Sequence, residues 1–237
     1  MVSVFLLYEV SEVVMDLEFI SAYTPMYMEA AVLTIRIALY GIAGAFAVGI
    51  VCSLIKELKV PVLKNIVQMY IELSRNTPLL IQLFFLYFGL PKVGIILSSE
   101  ACGIIGLIFL GGSYMAEGFR TGIDNVPQIQ REAAYSLGLT RRQTFFKIIV
   151  PQAVATSVPV FCANIIFLIK ETSVFSAVAL ADLMYVTKDL IGLYYKTDEA
   201  LLMLVVSYLI ILLPISLLSS YIERRVRYAG FGNTGSV

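Results

Sequence analysis

Residues 37–55 carry no charged side chain, and at about 1.5 Å of rise per residue such a run nearly crosses a hydrocarbon core of about 30 Å. Backbone amides in that core find no water, so a spanning segment must satisfy them internally, and runs of this length are too long for barrel strands. Residues 150–169 and 200–222 are uncharged runs of similar length. Shorter ones, 76–91 and 101–116, are predicted to extend into flanking residues that include Glu72, Arg75 and Glu117. Apolar residues make up 59% of the 237 and charged ones 14%, a balance that a soluble domain of this size does not have. The pattern predicts an all-α integral membrane protein of about five transmembrane helices, at about 28–55, 65–90, 99–118, 150–170 and 200–222.

Basic residues orient the spans, because membrane-proximal cytoplasmic loops retain Lys and Arg. Lys56, Lys59 and Lys64 follow the first span; Arg120, Arg131, Arg141, Arg142 and Lys147 lie between the third and fourth; Arg224, Arg225 and Arg227 follow the fifth. The opposite side holds Lys92, Lys170, Lys188 and Lys196. This asymmetry predicts an external N-terminus and a cytoplasmic C-terminal tail at 223–237, with residues 1–27 an external tail or surface helix and 170–199 an external segment. Residues 2–8 are apolar but lack a preceding basic residue and a small-residue cleavage site, so a cleaved signal peptide is not expected.

Several chemistries lose their residues here. His is absent, Cys52, Cys102 and Cys162 all fall inside spans, and no metal-ligand spacing exists. No Gly-x-x-x-x-Gly-Lys sequence can cradle nucleotide phosphates. No catalytic residue, metal or cofactor is assigned to the chain, and no nucleic-acid partner. ATP and magnesium, if used, are expected on another subunit.

The long connection at 120–149 carries helix punctuation that a tether would not need. Asn125 with Gln128 three residues on, and Pro127 between them, reads as a helix start. Gly138 reads as a left-handed stop near Leu137. Thr140 with Gln143 reads as a second start, leading into Phe145 and Phe146. Two short helices with a sharp bend are expected. On the first, Ala133, Ala134 and Leu137 share a face whose small side chains suit docking into a partner's groove.

Those residues carry a family resemblance. Glu132-Ala133-Ala134, then Gly138, Ile148 and Pro151, resembles the cytoplasmic EAA loop of permeases from bacterial binding-protein-dependent ABC importers. Tyr114, Ala116, Glu117, Arg120, Gly122, Ile123 and Val126 look like the same family's approach to that loop. Residues 72–80, 82–85 and 170–173 are similar to its polar amino acid branch, although Ile129 and Val150 depart from the usual residues. The resemblance covers roughly 28–230 and implies a type I importer bundle in the bacterial inner membrane, multi-pass among membrane lipid. Its implied partners are a second permease, identical or paralogous, a nucleotide-binding ATPase subunit and an external solute-binding protein, with an amino acid as substrate. In that picture Glu132, Ala133, Ala134, Leu137, Gly138 and Thr140 belong to the element that couples to the ATPase.

Charge within a span costs at least about 2.5 to 3.5 kcal/mol, so such residues mark a pathway or a partner. If the second span begins near Asn65, Arg75 is predicted near mid-depth with Glu72 one turn away as an ion-pair partner; if the helix begins near Leu73, Arg75 reaches to the headgroups instead. Pro78 is expected to loosen the turn at Ser74 and Asn76 and free carbonyls for a polar solute. Asn76, Thr77, Gln82, Asn164 and Glu171 complete the candidate path, Glu171 at the external end of the fourth span. Asn164 serves equally as a helix-to-helix hydrogen bond, and Glu171 as a solvated partner of Lys170. The competing class, a secondary transporter or channel subunit driven by an ion gradient, finds no inverted repeat or self-similarity in five spans.

Overall fold

The computed structural model describes residues 15–58 and 60–226, whose regular elements are all helical. Residues 1–14, Lys59 and 227–237 lie outside the described part, and with them most of the tail expected at 1–27 and the Arg227 end of the tail expected at 223–237.

The first helix, α1, runs unbroken over Leu17–Glu57, so residues 17–27 are its opening turns instead of a separate surface element. Asp16 starts it. Its Oδ1 accepts the Phe19 amide at 2.9 Å, its Oδ2 accepts Lys196 Nζ at 2.9 Å, and its own N–H donates to Glu199 Oε1 at 3.1 Å. Forty-one residues make α1 about twice the length a bilayer core needs. The extra half packs against α8 (Leu183–Tyr194) and the start of α9 (Thr197–Val226), where Tyr27 donates to the Ala200 carbonyl at 2.8 Å and meets Thr187 Oγ1 at 3.0 Å.

α4 (Ser99–Asp124) lies parallel to α1, as Arg36 meets Glu100, Gly41 meets Leu107 and Gly49 meets Met115 in the same order along both helices. Between hydrocarbon chains there is little hydrophobic gain from helix contact, so close packing of small residues must hold the pair. A methyl at Gly41 would lie 2.6 Å from Leu107 Cβ. α7 (Val150–Glu171) crosses α4 in the opposite sense, Gly122 against Ser157, Gly111 against Leu168 and Gly103 against Phe175. The main core fills this junction with Ile37, Leu83, Leu107, Met115, Leu168 and Phe175.

The second span is a broken helix. α2 (Leu63–Arg75) stops at Asn76, and α3 (Leu79–Phe84) starts beyond Pro78, whose backbone is extended. The chain then widens into a π-helical turn, Phe85–Gly89, and tightens over Leu90–Val93. A second π-helical turn, Phe145–Ile149, joins α6 (Arg141–Thr144) to α7. Both turns end two residues before a proline, Pro91 and Pro151, whose missing N–H and bulky ring disturb the preceding helix turn.

Among the described residues, four stretches are long and apolar enough to cross a membrane, Leu17–Glu57, Ser99–Asp124, Arg141–Val178 and Thr197–Val226, and the broken Leu79–Val93 region is a shorter fifth. The expected fourth span is thus lengthened at both ends. Its far end is a 3-10 turn, Thr172–Val178, which stops at Ala179 with a φ of 55° before α8 folds back. Cys52, Cys102 and Cys162 are buried free thiols.

Candidate coupling helix and polar cleft

α5 spans Gln128–Ser136. Asn125 caps the end of α4, and Pro127, not Asn125, precedes the first turn of α5, which corrects the expected helix start. The reason is continuity: α4 holds its helical ladder to Asp124, with Arg120 paired to Glu117 and to Asp124. The stop at Gly138 forms as expected, with a φ of 79°. The Leu139 amide reaches the Ala134 carbonyl at 3.1 Å and the Gly138 amide the Tyr135 carbonyl at 2.9 Å, the paired bonds of a Schellman turn. Thr140 and Gln143 then form a full capping box.

The expected shared face of Ala133, Ala134 and Leu137 divides. Ala134 is buried against the chain itself, whereas Ala133 is exposed and Leu137 is 82% exposed. Ile129 joins them at 70% exposure, so the outward stripe is Ile129, Ala133 and Leu137 at four-residue spacing. Glu132 binds Gln128 Nε2 at 2.9 Å on the surface of the same helix. Among the described residues, two polar side-chain contacts tie α5 to the bundle. Arg131 pairs with Glu57 at the end of α1 at 3.4 Å, and Gln152 on α7 donates to Gln130 Oε1 at 2.6 Å.

A separate open cleft of about 360 Å³ lies between α2 and α4, lined by Gln68, Ile71, Glu72, Arg75, Asn76, Tyr114 and Glu117. Glu72, Arg75 and Asn76 are exposed into it. Tyr114 is the sixteenth of the 26 residues of α4, so Arg75, which lies over its ring at 5.1 Å, sits level with the second half of that helix. The expected Glu72–Arg75 ion pair does not form among the described residues. Glu72 instead accepts from Gln68 Nε2 at 2.6 Å, and Arg75 turns to the Tyr114 face.

Side chains occupy four of the carbonyls around the helix break at Pro78. Asn76 Nδ2 donates to the Glu72 carbonyl at 2.8 Å, Thr77 Oγ1 donates to that of Leu73, and Gln82 Nε2 reaches those of Ser74 and Thr77, both at 3.1 Å. Thr77 and Gln82 therefore staple the break and line an apolar groove with Leu73, Ile81 and Phe85, outside the polar cleft. Asn164 donates to the Tyr114 carbonyl at 3.2 Å, a bond between α7 and α4 behind the cleft. Glu171, half-buried, falls on α7 between the Leu168–Gly111 and Phe175–Gly103 contacts. It lies within the bundle and not at the external end of the span as expected, because the 3-10 turn carries the same rod further.

Over residues 41–228 the sequence matches the family described as binding-protein-dependent transport system inner membrane component. The chain belongs to that family. The probable glutamine ABC transporter permease protein GlnM of Bacillus subtilis (strain 168) is 31% identical over 201 residues, covering 85% of this chain and 93% of its own length. The glutamine transport system permease protein GlnP of Escherichia coli (strain K12) is 28% identical, covering 86% and 94%. A solved amino acid ABC transporter, described as a crystal structure with histidines, superposes with a TM-score of 0.85 at 29% identity over 89% of this chain and 99% of its own. The inward-facing MetNI methionine ABC transporter shares the fold, with a TM-score of 0.70 at 18% identity over 86% and 98%.

The permease is therefore a multi-pass membrane component of the amino-acid ABC class, and its helical bundle matches the type I importer fold. Sequence reasoning placed the loop but missed Glu57, Gln130 and Gln152, which tether it. Glu57 and Arg131 are 74 positions apart, so no periodicity links them. Tyr114 was read as part of a motif, and only the fold sets its ring against Arg75.

Proposed function

We propose that the permease moves a polar amino acid into the cell, driven by ATP hydrolysis on a separate subunit that receives α5. The observation that carries this reading is the double character of α5. It presents Ile129, Ala133 and Leu137 outward, and it is tethered to α1 through Arg131–Glu57 and to α7 through Gln130–Gln152. A partner that grips the outward stripe moves two spans at once. Apolar side chains exposed on a short, capped helix suit a groove in a protein partner.

The α5 end is then cytoplasmic, in keeping with the eleven basic residues on that side against four on the other. Cysteines placed near Arg142 and Arg225 should react only with reagents that reach the cytoplasm. Exposed Glu72, Arg75 and Asn76 in the second span are costly against lipid, so a second permease covers the cleft and encloses an aqueous path. The relatives' names point to glutamine or a similar solute. The Glu72 carboxylate and the Arg75 guanidinium, with Glu117 beside them in the same cleft, suit the two ends of a zwitterion. An external binding protein delivers that solute, and ATP with magnesium stays on the ATPase.

The test is uptake of labelled glutamine by vesicles holding permease, ATPase and binding protein. Arg75→Ala should lower uptake at least about tenfold with assembly intact, since a charge-assisted hydrogen bond to a bound solute is worth about 1.5 to 3 kcal/mol. Undiminished uptake would place the path elsewhere.

A further inference from the structure

A third cavity, about 870 Å³, opens at the α5 end of the bundle between the last turn of α1, α5 and the first turns of the fourth span. Its walls carry three guanidinium groups, Arg131, Arg141 and Arg142, and one carboxylate, Glu57, which is already paired with Arg131. Neither Arg141 nor Arg142 has an acidic partner among the described residues, and both are exposed. The remaining lining is apolar or aromatic, with Leu58 63% exposed and Phe146 50% exposed. From this combination we infer that the cavity binds the headgroup of an anionic phospholipid, with the arginines on the phosphate and Leu58 and Phe146 against the start of the acyl chains.

The position favours lipid. The cavity sits where α1 ends at Glu57 and the fourth membrane-length stretch begins at Arg141, so it lies at one rim of the bundle between two spans. Basic pockets between spans at such a rim are suited to anionic headgroups, and arginine forks bind phosphate oxygens in pairs. The ATPase is the other candidate occupant, and the helix geometry separates the two. At about 100° per residue, Arg131 and Tyr135 lie on the side of α5 opposite Ile129, Ala133 and Leu137. A subunit docked on the outward stripe leaves the arginine side turned back towards the membrane. The inference rests on the bundle spanning a membrane and needs neither transport nor a particular solute.

The permease, purified with its ATPase subunit, is reconstituted in nanodiscs of phosphatidylcholine containing a minor share of phosphatidylglycerol. Native mass spectrometry of the released complex then counts retained lipid. The parent should retain phosphatidylglycerol in preference to phosphatidylcholine, and Arg141→Ala with Arg142→Ala should reduce that retention at least about fivefold, with the ATPase still bound. If the double variant does not insert, Arg141→Gln and Arg142→Gln singly carry the test, each with a measurable loss of phosphatidylglycerol. Equal retention by parent and variants overturns the inference. So does an inserted double variant that sheds the ATPase, which would assign the cavity to the protein interface. Failure of glutamine uptake would leave this result untouched, so the two readings fail separately.

Discussion

Gln152, in the first turn of α7, donates its side-chain amide to Gln130 Oε1 on α5 at 2.6 Å and to the Ile148 carbonyl at 2.9 Å. The bond joins the outward-facing helix to the span that also packs on α4, so a pull on α5 is felt along α7. A neutral hydrogen bond contributes about 1 kcal/mol. Gln152→Ala is therefore expected to lower ATP-driven uptake about fivefold while the ATPase subunit still co-purifies. Uptake and ATP hydrolysis measured on one preparation check this, with hydrolysis continuing as uptake falls.

At Gly138 the φ of 79° and the empty space around a built Cβ separate strain from clash. A β-branched residue there meets no neighbour but must hold a left-handed backbone, at about 1 to 2 kcal/mol. Gly138→Val is expected to loosen the turn between α5 and α6 and reduce uptake with insertion intact. Gly138→Asn, which tolerates this conformation, should retain most of it. Parallel assays of membrane level and uptake distinguish the two variants.

At Asp182 burial favours the protonated carboxyl. It is fully buried at the start of α8, where its Oδ1 accepts the Tyr185 amide at 2.9 Å and its Oδ2 has no partner among the described residues. Burial raises its pKa from 3.8 to about 6, against the opposing pull of the Tyr185 and Met184 amides and Lys188. The folded form holds the proton more tightly than the unfolded form. The resulting stability is full below the unfolded value and is lost as pH rises through about 6; the gap amounts to about 3 kcal/mol. Asp182→Asn keeps the capping acceptor and removes the titration. Its thermal midpoint should be flat between about pH 4 and about pH 7, where that of the parent declines. Matching pH profiles for variant and parent would show that Asp182 does not titrate in this range.

Much of this architecture was legible in the sequence, because length without charge is a direct consequence of the bilayer. The stop at Gly138 and the box at Thr140 were equally readable, since each depends on residues within one helix turn. The break at Pro78 was foreseen, but not the fate of its carbonyls. Gln82 reaches back eight positions to Ser74, a contact that exists only once α3 has turned. Asn125 misled because its capping preference serves either end of a helix boundary, and the ladder of α4 claimed it. Ala134 misled because a small residue suits an outward groove and an inward contact alike. Which way it faces was decided by the α1 and α7 tethers, Glu57 and Gln152, that hold Arg131 and Gln130.

The central claim is that the outward stripe of α5 receives the force of ATP hydrolysis. It is tested most directly by ATP-driven glutamine uptake into vesicles holding the assembled transporter with Leu137→Asp, a change at an 82% exposed position that leaves the bundle core untouched. A carboxylate placed in an apolar groove costs several kcal/mol, so uptake should fall at least about a hundredfold, with the permease inserted at parental levels. Uptake equal to that of the parent would contradict the claim.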